Sequence, residues 1–180
     1  MPLAFPSHQG LILPLWYRYP RHFDGLALCI GSAMPDLVDG AAWIFRGELG
    51  QWLGHSLVGL GVCVPAGLLF TVGQRRLWPK SLELFAPPRT SSHFFWLSLS
   101  LGVGALSHIF FDLICHGNFL LLFPWYSNDR WFPSWWYQEW GRIPLGVYKD
   151  PYPLATHTLI WCVLSILGAF LFFRILKKVP

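Results

Sequence analysis

The chain has 180 residues, 54% of them hydrophobic and 12% charged, with a formal net charge of +4. Such a size suits one domain over residues 1–180, and such a balance fits a bilayer protein better than a soluble one. The isoelectric point is near 9.0, but the basic residues are scattered between apolar runs and form no dense stripe, which argues against nucleic acid as a partner.

The first residues carry no basic region followed by a small-residue cleavage site, so no removed signal peptide is expected. Residues 3–17 are apolar but interrupted by Pro6 and Pro14, and predict a short membrane segment, either a kinked span or a half-inserted helix. Four longer apolar stretches follow, at about 24–46, 52–73, 93–115 and 154–176, each close to the roughly 20 residues that cross a bilayer. The expected fold is therefore all-α, an integral membrane bundle of four long helices plus the N-terminal segment. Cys29, Cys63, Cys115 and Cys162 stand singly in apolar runs, which predicts buried free thiols and no disulfide.

Basic residues set the expected orientation. Arg18, Arg21, Arg75, Arg76, Lys80, Arg89, Arg174, Lys177 and Lys178 fall on one side of this topology, against Arg46, Arg130, Arg142 and Lys149 on the other. The side with the excess is read as cytoplasmic. Residues 117–153, with Trp125, Trp131, Trp135, Trp136 and Trp140, then form an extracytoplasmic loop lying along the headgroup layer, as an anchor or as a lid.

Ionisable residues inside the apolar stretches demand an explanation, because one charged group at membrane depth costs roughly 2.5–3.5 kcal/mol. His108, Asp112 and His116 recur every four residues, a spacing that drifts only about 40° per step around a helix and stacks them on one face. Two imidazoles and a carboxylate so placed suit a metal ion; a proton relay or a helix-packing cluster are the alternatives. The topology brings Asp36, Asp39, His55 and His157 to the same outer level, and His8 too if the first segment reaches the outer leaflet. Asp36 follows Pro35, a helix breaker that can aim its carboxylate at the site or leave it to satisfy freed amides. Asp39 is expected either to orient a histidine instead of holding the metal itself, or to face water near the helix end. His22 and His93 lie on the inferred cytoplasmic side and are not expected to be ligands.

Ser7-His8, Ile30-Gly31-Ser32-Ala33-Met34-Pro35-Asp36, His55-Ser56, Gly104-Ala105-Leu106-Ser107-His108 with Asp112 and His116, and Thr156-His157 together resemble an uncharacterised family of bacterial multi-pass membrane proteins, the domain of unknown function numbered 4184. The order of histidines and aspartates is also similar to the metal framework of the zinc-dependent phospholipase C and single-strand nuclease superfamily and of membrane-bound metal-dependent hydrolases. That resemblance implies one ion held by Asp36, His55, His108 and Asp112. It also implies a second shared by Asp112 with His8, and a further position using His116 and His157.

The resulting expectation is a bacterial inner-membrane hydrolase using one or two zinc or other divalent ions, its site facing outward. Its substrate would be a lipid or lipid-linked ester or phosphoester, with Asp36, His108 and Asp112 as catalytic residues. Arg46, Arg130 or Arg142 would meet an anionic headgroup. A membrane protein partner or a homo-oligomer is compatible with this expectation. The rival is a non-catalytic membrane protein: a subunit or assembly factor of a larger complex, or a small transporter using the cluster as a proton or ion path.

Overall fold

The structure, a computed structural model, describes residues 6–47, 53–77, 93–115, 119–128, 132–144 and 151–177. Its helices are α1 (Ser7–Arg18), α2 (Gly25–Gly31), α3 (Met34–Arg46), α4 (Leu60–Leu77), α5 (His93–Cys115) and α6 (Thr156–Leu176), with a 3-10 turn at Leu53–His55. The all-α expectation holds for the bundle. Two short antiparallel hairpins interrupt the Trp-rich segment: β1 (Phe119–Leu122) with β2 (Tyr126–Asn128), and β3 (Gly141–Ile143) with β4 (Tyr152–Leu154).

Two helices are long and apolar enough to cross a membrane, His93–Cys115 and Thr156–Arg174. The expectation of four long spans is corrected by the other two stretches. The stretch 24–46 divides into α2 and α3 because Pro35 has no N–H to donate to the preceding turn and its ring clashes with the carbonyl four residues back. The stretch 52–73 begins with the 3-10 turn, and α4 starts only at Leu60, after Ser56 Oγ has accepted a hydrogen bond from the Gly59 N–H. The last turn of α4 carries Arg75 and Arg76. At 12 residues, α1 covers about 18 Å and continues through Pro14.

Helix directions follow from particular contacts. Asp24 caps α2 by accepting from the Ala27 N–H at 2.9 Å, and its own N–H donates to Ser100 Oγ at 2.9 Å. Arg75, at the end of α4, closes an ion pair with the same buried Asp24. So α2 and α5 run parallel, α4 runs antiparallel to both, and the three are pinned together at one end. Their shared core is Ala27, Ile30, Met34, Cys63, Leu97, Leu101 and Ala105. Of the four cysteines, Cys63 and Cys115 are buried, Cys29 is half-buried and Cys162, on the outer face of α6, is exposed; all are free thiols.

Glycines allow α2 and α5 to touch backbone to backbone. A Cβ on Gly31 would stand 2.3 Å from the Leu101 carbonyl oxygen, and one on Gly104 would stand 2.4 Å from that of Leu28. This approach, beginning next to Ser32, sets how closely His108 can reach the break between α2 and α3. Gly104→Ala should therefore destabilise the protein by about 1–3 kcal/mol through overpacking. Gly61→Ala, in α4 with nothing within 4 Å of the added methyl, should be neutral or slightly stabilising. Parallel unfolding curves of the two variants in detergent check the contrast; equal midpoints would refute the close-contact account.

Candidate metal centre

At the end of the bundle away from Asp24 and Arg75, two carboxylates gather around the facing Nε2 atoms of two histidines, the four side chains coming from three places in the chain. Asp36 comes from the first turn of α3, His55 from the 3-10 turn, and His108 and Asp112 from one face of α5. His55 Nε2 lies 3.3 Å from Asp36 Oδ1, 3.3 Å from Asp112 Oδ2 and 3.2 Å from His108 Nε2. His108 Nε2 lies 3.6 Å from both Asp36 Oδ1 and Asp112 Oδ2. Nitrogen and oxygen ligands sit about 2.0–2.2 Å from zinc, so tetrahedral neighbours stand roughly 3.3–3.6 Å apart. The five separations match that spacing, and the donor set of two imidazoles and two carboxylates suits zinc and other first-row divalent ions.

The outward nitrogens of both rings fix what the inward ones present. His108 Nδ1 donates to the Ser32 carbonyl at 2.7 Å, since a carbonyl can only accept. His55 Nδ1 donates to Asp39 Oδ2 at 2.7 Å, and the other oxygen of Asp39 accepts from the Gly54 N–H, also at 2.7 Å. With both protons committed at Nδ1, two neutral rings would aim lone pairs from Nε2 at each other and at two carboxylate oxygens. Such an arrangement is stable only around positive charge, a metal ion or an added proton. The pattern of a ring N–H held by a carboxylate or a carbonyl is the one that orients histidine ligands in metal sites.

Local structure explains the placement. A helix break leaves carbonyls of the preceding turn without their usual partners, and the Ser32 carbonyl at this break receives the His108 proton. The same break turns the start of α3 so that Asp36 faces α5. Asp39, one turn on, holds the 3-10 turn by both carboxylate oxygens and so positions His55. Of the two roles the sequence leaves open for Asp39, its contacts match that of a support for a histidine.

His8 completes a second grouping. Its ring stacks on that of His108 at 3.7 Å between centroids, and its Nε2 is 3.9 Å from Asp112 Oδ1, the oxygen turned away from the four-ligand cluster. The ring is fully buried, and neither nitrogen has a hydrogen-bond partner among the described residues. Two overlapping groups able to hold a cation result: Asp36 with His55 and His108, and His8 with His108 and Asp112.

His157 stands apart from both. On α1, Gly10 packs against Leu164 and Gly168, and Leu13 against Leu171 and Phe172, so α1 and α6 run parallel. His157 is eleven residues before Gly168, about 16 Å up the helix and past the start of α1. His116 lies outside the described residues, as do Arg130 and Trp131. His93 is at the opposite end, 3.5 Å from Arg75. Arg142 is exposed and paired with Glu139. One participant escapes a reading of the sequence: Gln9, buried beside His8, whose Nε2 donates to Ser32 Oγ at 3.0 Å and ties α1 to the break. Only its position next to His8 marks it.

A family model described as a domain of unknown function, DUF4184, matches residues 1–140. Neither a curated protein nor a solved structure matches the chain.

The Asp39 contact yields a direct check. Asp39→Asn keeps an acceptor for the ring proton but removes the charge behind it, and should weaken divalent-metal affinity by about 10–100-fold. Titration of apo-protein with zinc against a competing chelator measures this; unchanged affinity would sink the assignment of Asp39 as a support for His55.

Proposed function

The chain belongs to the DUF4184 family, and we propose that it is a membrane-embedded, metal-dependent hydrolase that cleaves an ester or phosphoester of a lipid or lipid-linked substrate. The observation that carries this reading is the set of five ligand-to-ligand separations of 3.2–3.6 Å among Asp36, His55, His108 and Asp112, with both histidine protons tied off outside the cluster. Phosphoester chemistry is inferred from the similarity of the ligand order to that of the zinc-dependent phospholipase C superfamily.

In this reading the four side chains hold one divalent ion, zinc by donor chemistry. When bound, the ion supplies Lewis-acid polarisation of the ester oxygen and acidifies water toward neutral pH. The chain's own groups do the rest. Ser32 and Asp39 keep the two imidazoles in the tautomer that offers Nε2 inward. Asp36, the most open of the four side chains at 30% exposure, marks where a reacting group reaches the cluster. His8 and Asp112 Oδ1 form a second, sparser pair, suited to a weaker second ion or to passing a proton to the leaving group.

Position along α5 supports a membrane substrate. Asp112 and His108 lie within the last eight described residues of α5, towards the end from which the Trp-bearing segment leads on, a position suited to lipid ester and phosphate groups at the interface. Trp125, Trp135 and Trp140 are 79%, 58% and 55% exposed in the segment beyond that end, as expected of rings anchored in the interface. With the basic ends of α4 and α6 read as cytoplasmic, the cluster faces the outer side of a bacterial inner membrane.

Metal analysis tests the assignment. Detergent-purified protein should retain one zinc ion per chain through dialysis and take up a second only with metal in excess. His108→Ala should remove the retained ion, while His8→Ala should leave it and abolish only the second. Metal-free protein that cannot be loaded would overturn the hydrolase and leave the cluster as a proton relay.

A further inference from the structure

The four cation-holding side chains are not equally accessible. His55, His108 and Asp112 are 4%, 0% and 2% exposed against 30% for Asp36, so anything that meets the cluster arrives past Asp36. At the end towards the Trp-rich segment, described residues lie against the cluster's supports: the Leu57 N–H, just after the 3-10 turn, donates to the Leu121 carbonyl of β1 at 3.0 Å, and the Trp136 indole donates to the Ile114 carbonyl at 2.9 Å. The buried, stacked ring of His8 closes the cluster on the side of α1.

Among the described residues, the flank of α3 that carries Asp36 is open. Asp36, Gly40 and Ile44 are spaced by four residues and form one continuous strip. A Cβ on Gly40 would meet nothing within 4 Å, so the strip is recessed at its centre. The strip and its flank are apolar: Ile44 is 75% exposed, and Leu37, which lies beside Gly40 and Ile44 on the helix surface, is 51% exposed. A water-soluble substrate gains nothing from such a surface, whereas a hydrocarbon chain lies on it without leaving an apolar medium.

We propose that the cluster is approached sideways from the bilayer, with the hydrocarbon chain of the substrate lying along Gly40 and Ile44 while its ester group meets the Asp36 edge. This rests on the hydrolase reading and deepens it, because it makes the chain itself a recognition element. Gly40 becomes a specificity-determining position although it touches no ligand of the metal.

Two measurements on the full chain test this. Gly40→Trp should lower zinc-dependent turnover of dioleoyl phosphatidylglycerol in nanodiscs at least tenfold, while metal content and turnover of bis(4-nitrophenyl) phosphate in detergent stay within twofold; equal loss on both substrates, or loss on neither, overturns the proposal. Independently of turnover, phosphatidylglycerol with a diazirine on its acyl chain should label residues 37–44 at least fivefold more than the similarly exposed face of α6 at Val163, Ile166 and Phe170, and Gly40→Trp should remove the excess. Even labelling of both faces overturns sideways approach whether or not the protein hydrolyses anything. Excess labelling on a protein that neither binds zinc nor turns over either substrate would retain the lipid groove and reject the hydrolase.

Discussion

Two imidazole nitrogens held 3.2 Å apart with their protons engaged elsewhere, and facing two carboxylates, repel one another unless positive charge sits among them. That requirement organises the molecule. In a low-dielectric interior it is far more demanding than at a surface, because water cannot screen the repulsion. Each supporting contact around the cluster can be understood as preventing the rings from escaping it: the Ser32 carbonyl holds one, the Asp39 carboxylate the other, and the His8 ring lies flat against His108.

The scaffold meets this requirement through an interruption. A continuous helix over 24–46 would have left Asp36 and Asp39 to follow the helix surface and its carbonyls paired internally. Breaking it at Ser32–Pro35 frees a carbonyl for His108 and re-aims α3. The close glycine contact between α2 and α5 then brings the break against the histidine. At the far end, the buried Asp24 paired with Arg75 fixes the vertical register of the same helices, so the depth of the cluster is set from one end and its geometry from the other.

How much of this was legible in the sequence depended on whether the signal was local. His108 and Asp112 share a helix, and a four-residue spacing is read directly as a common face. Asp39 as a support, the all-α bundle and the two long apolar helices were accessible in the same way. Pro35 was visible as a breaker, yet the consequence that the stretch no longer makes one long span was not, because apolarity over 23 residues looks the same with or without a turn inside. His157 was placed with the other ligands on the assumption that its helix starts at the level where α5 ends. Gly168 packs at the level of Gly10, so His157, eleven residues earlier on α6, stands about 16 Å beyond that level and past the start of α1. Such a shift between helices leaves no trace in hydropathy. Gln9 was silent for a related reason: a single amide gains meaning only from the hydroxyl it meets across the bundle.

The parallel seating of α1 on α6 carries one more implication. Apart from its contact with α2, α1 leans chiefly on α6, and the 12-residue α1 is what presents His8 to Asp112. Residues 156–176 fall beyond the stretch that the family model matches, 1–140. The matched region thus supplies the clustered histidines and aspartates, while the helix against which the His8-bearing α1 leans lies outside that region. The terminal helix is therefore a structural member of the centre, although it donates no atom to it.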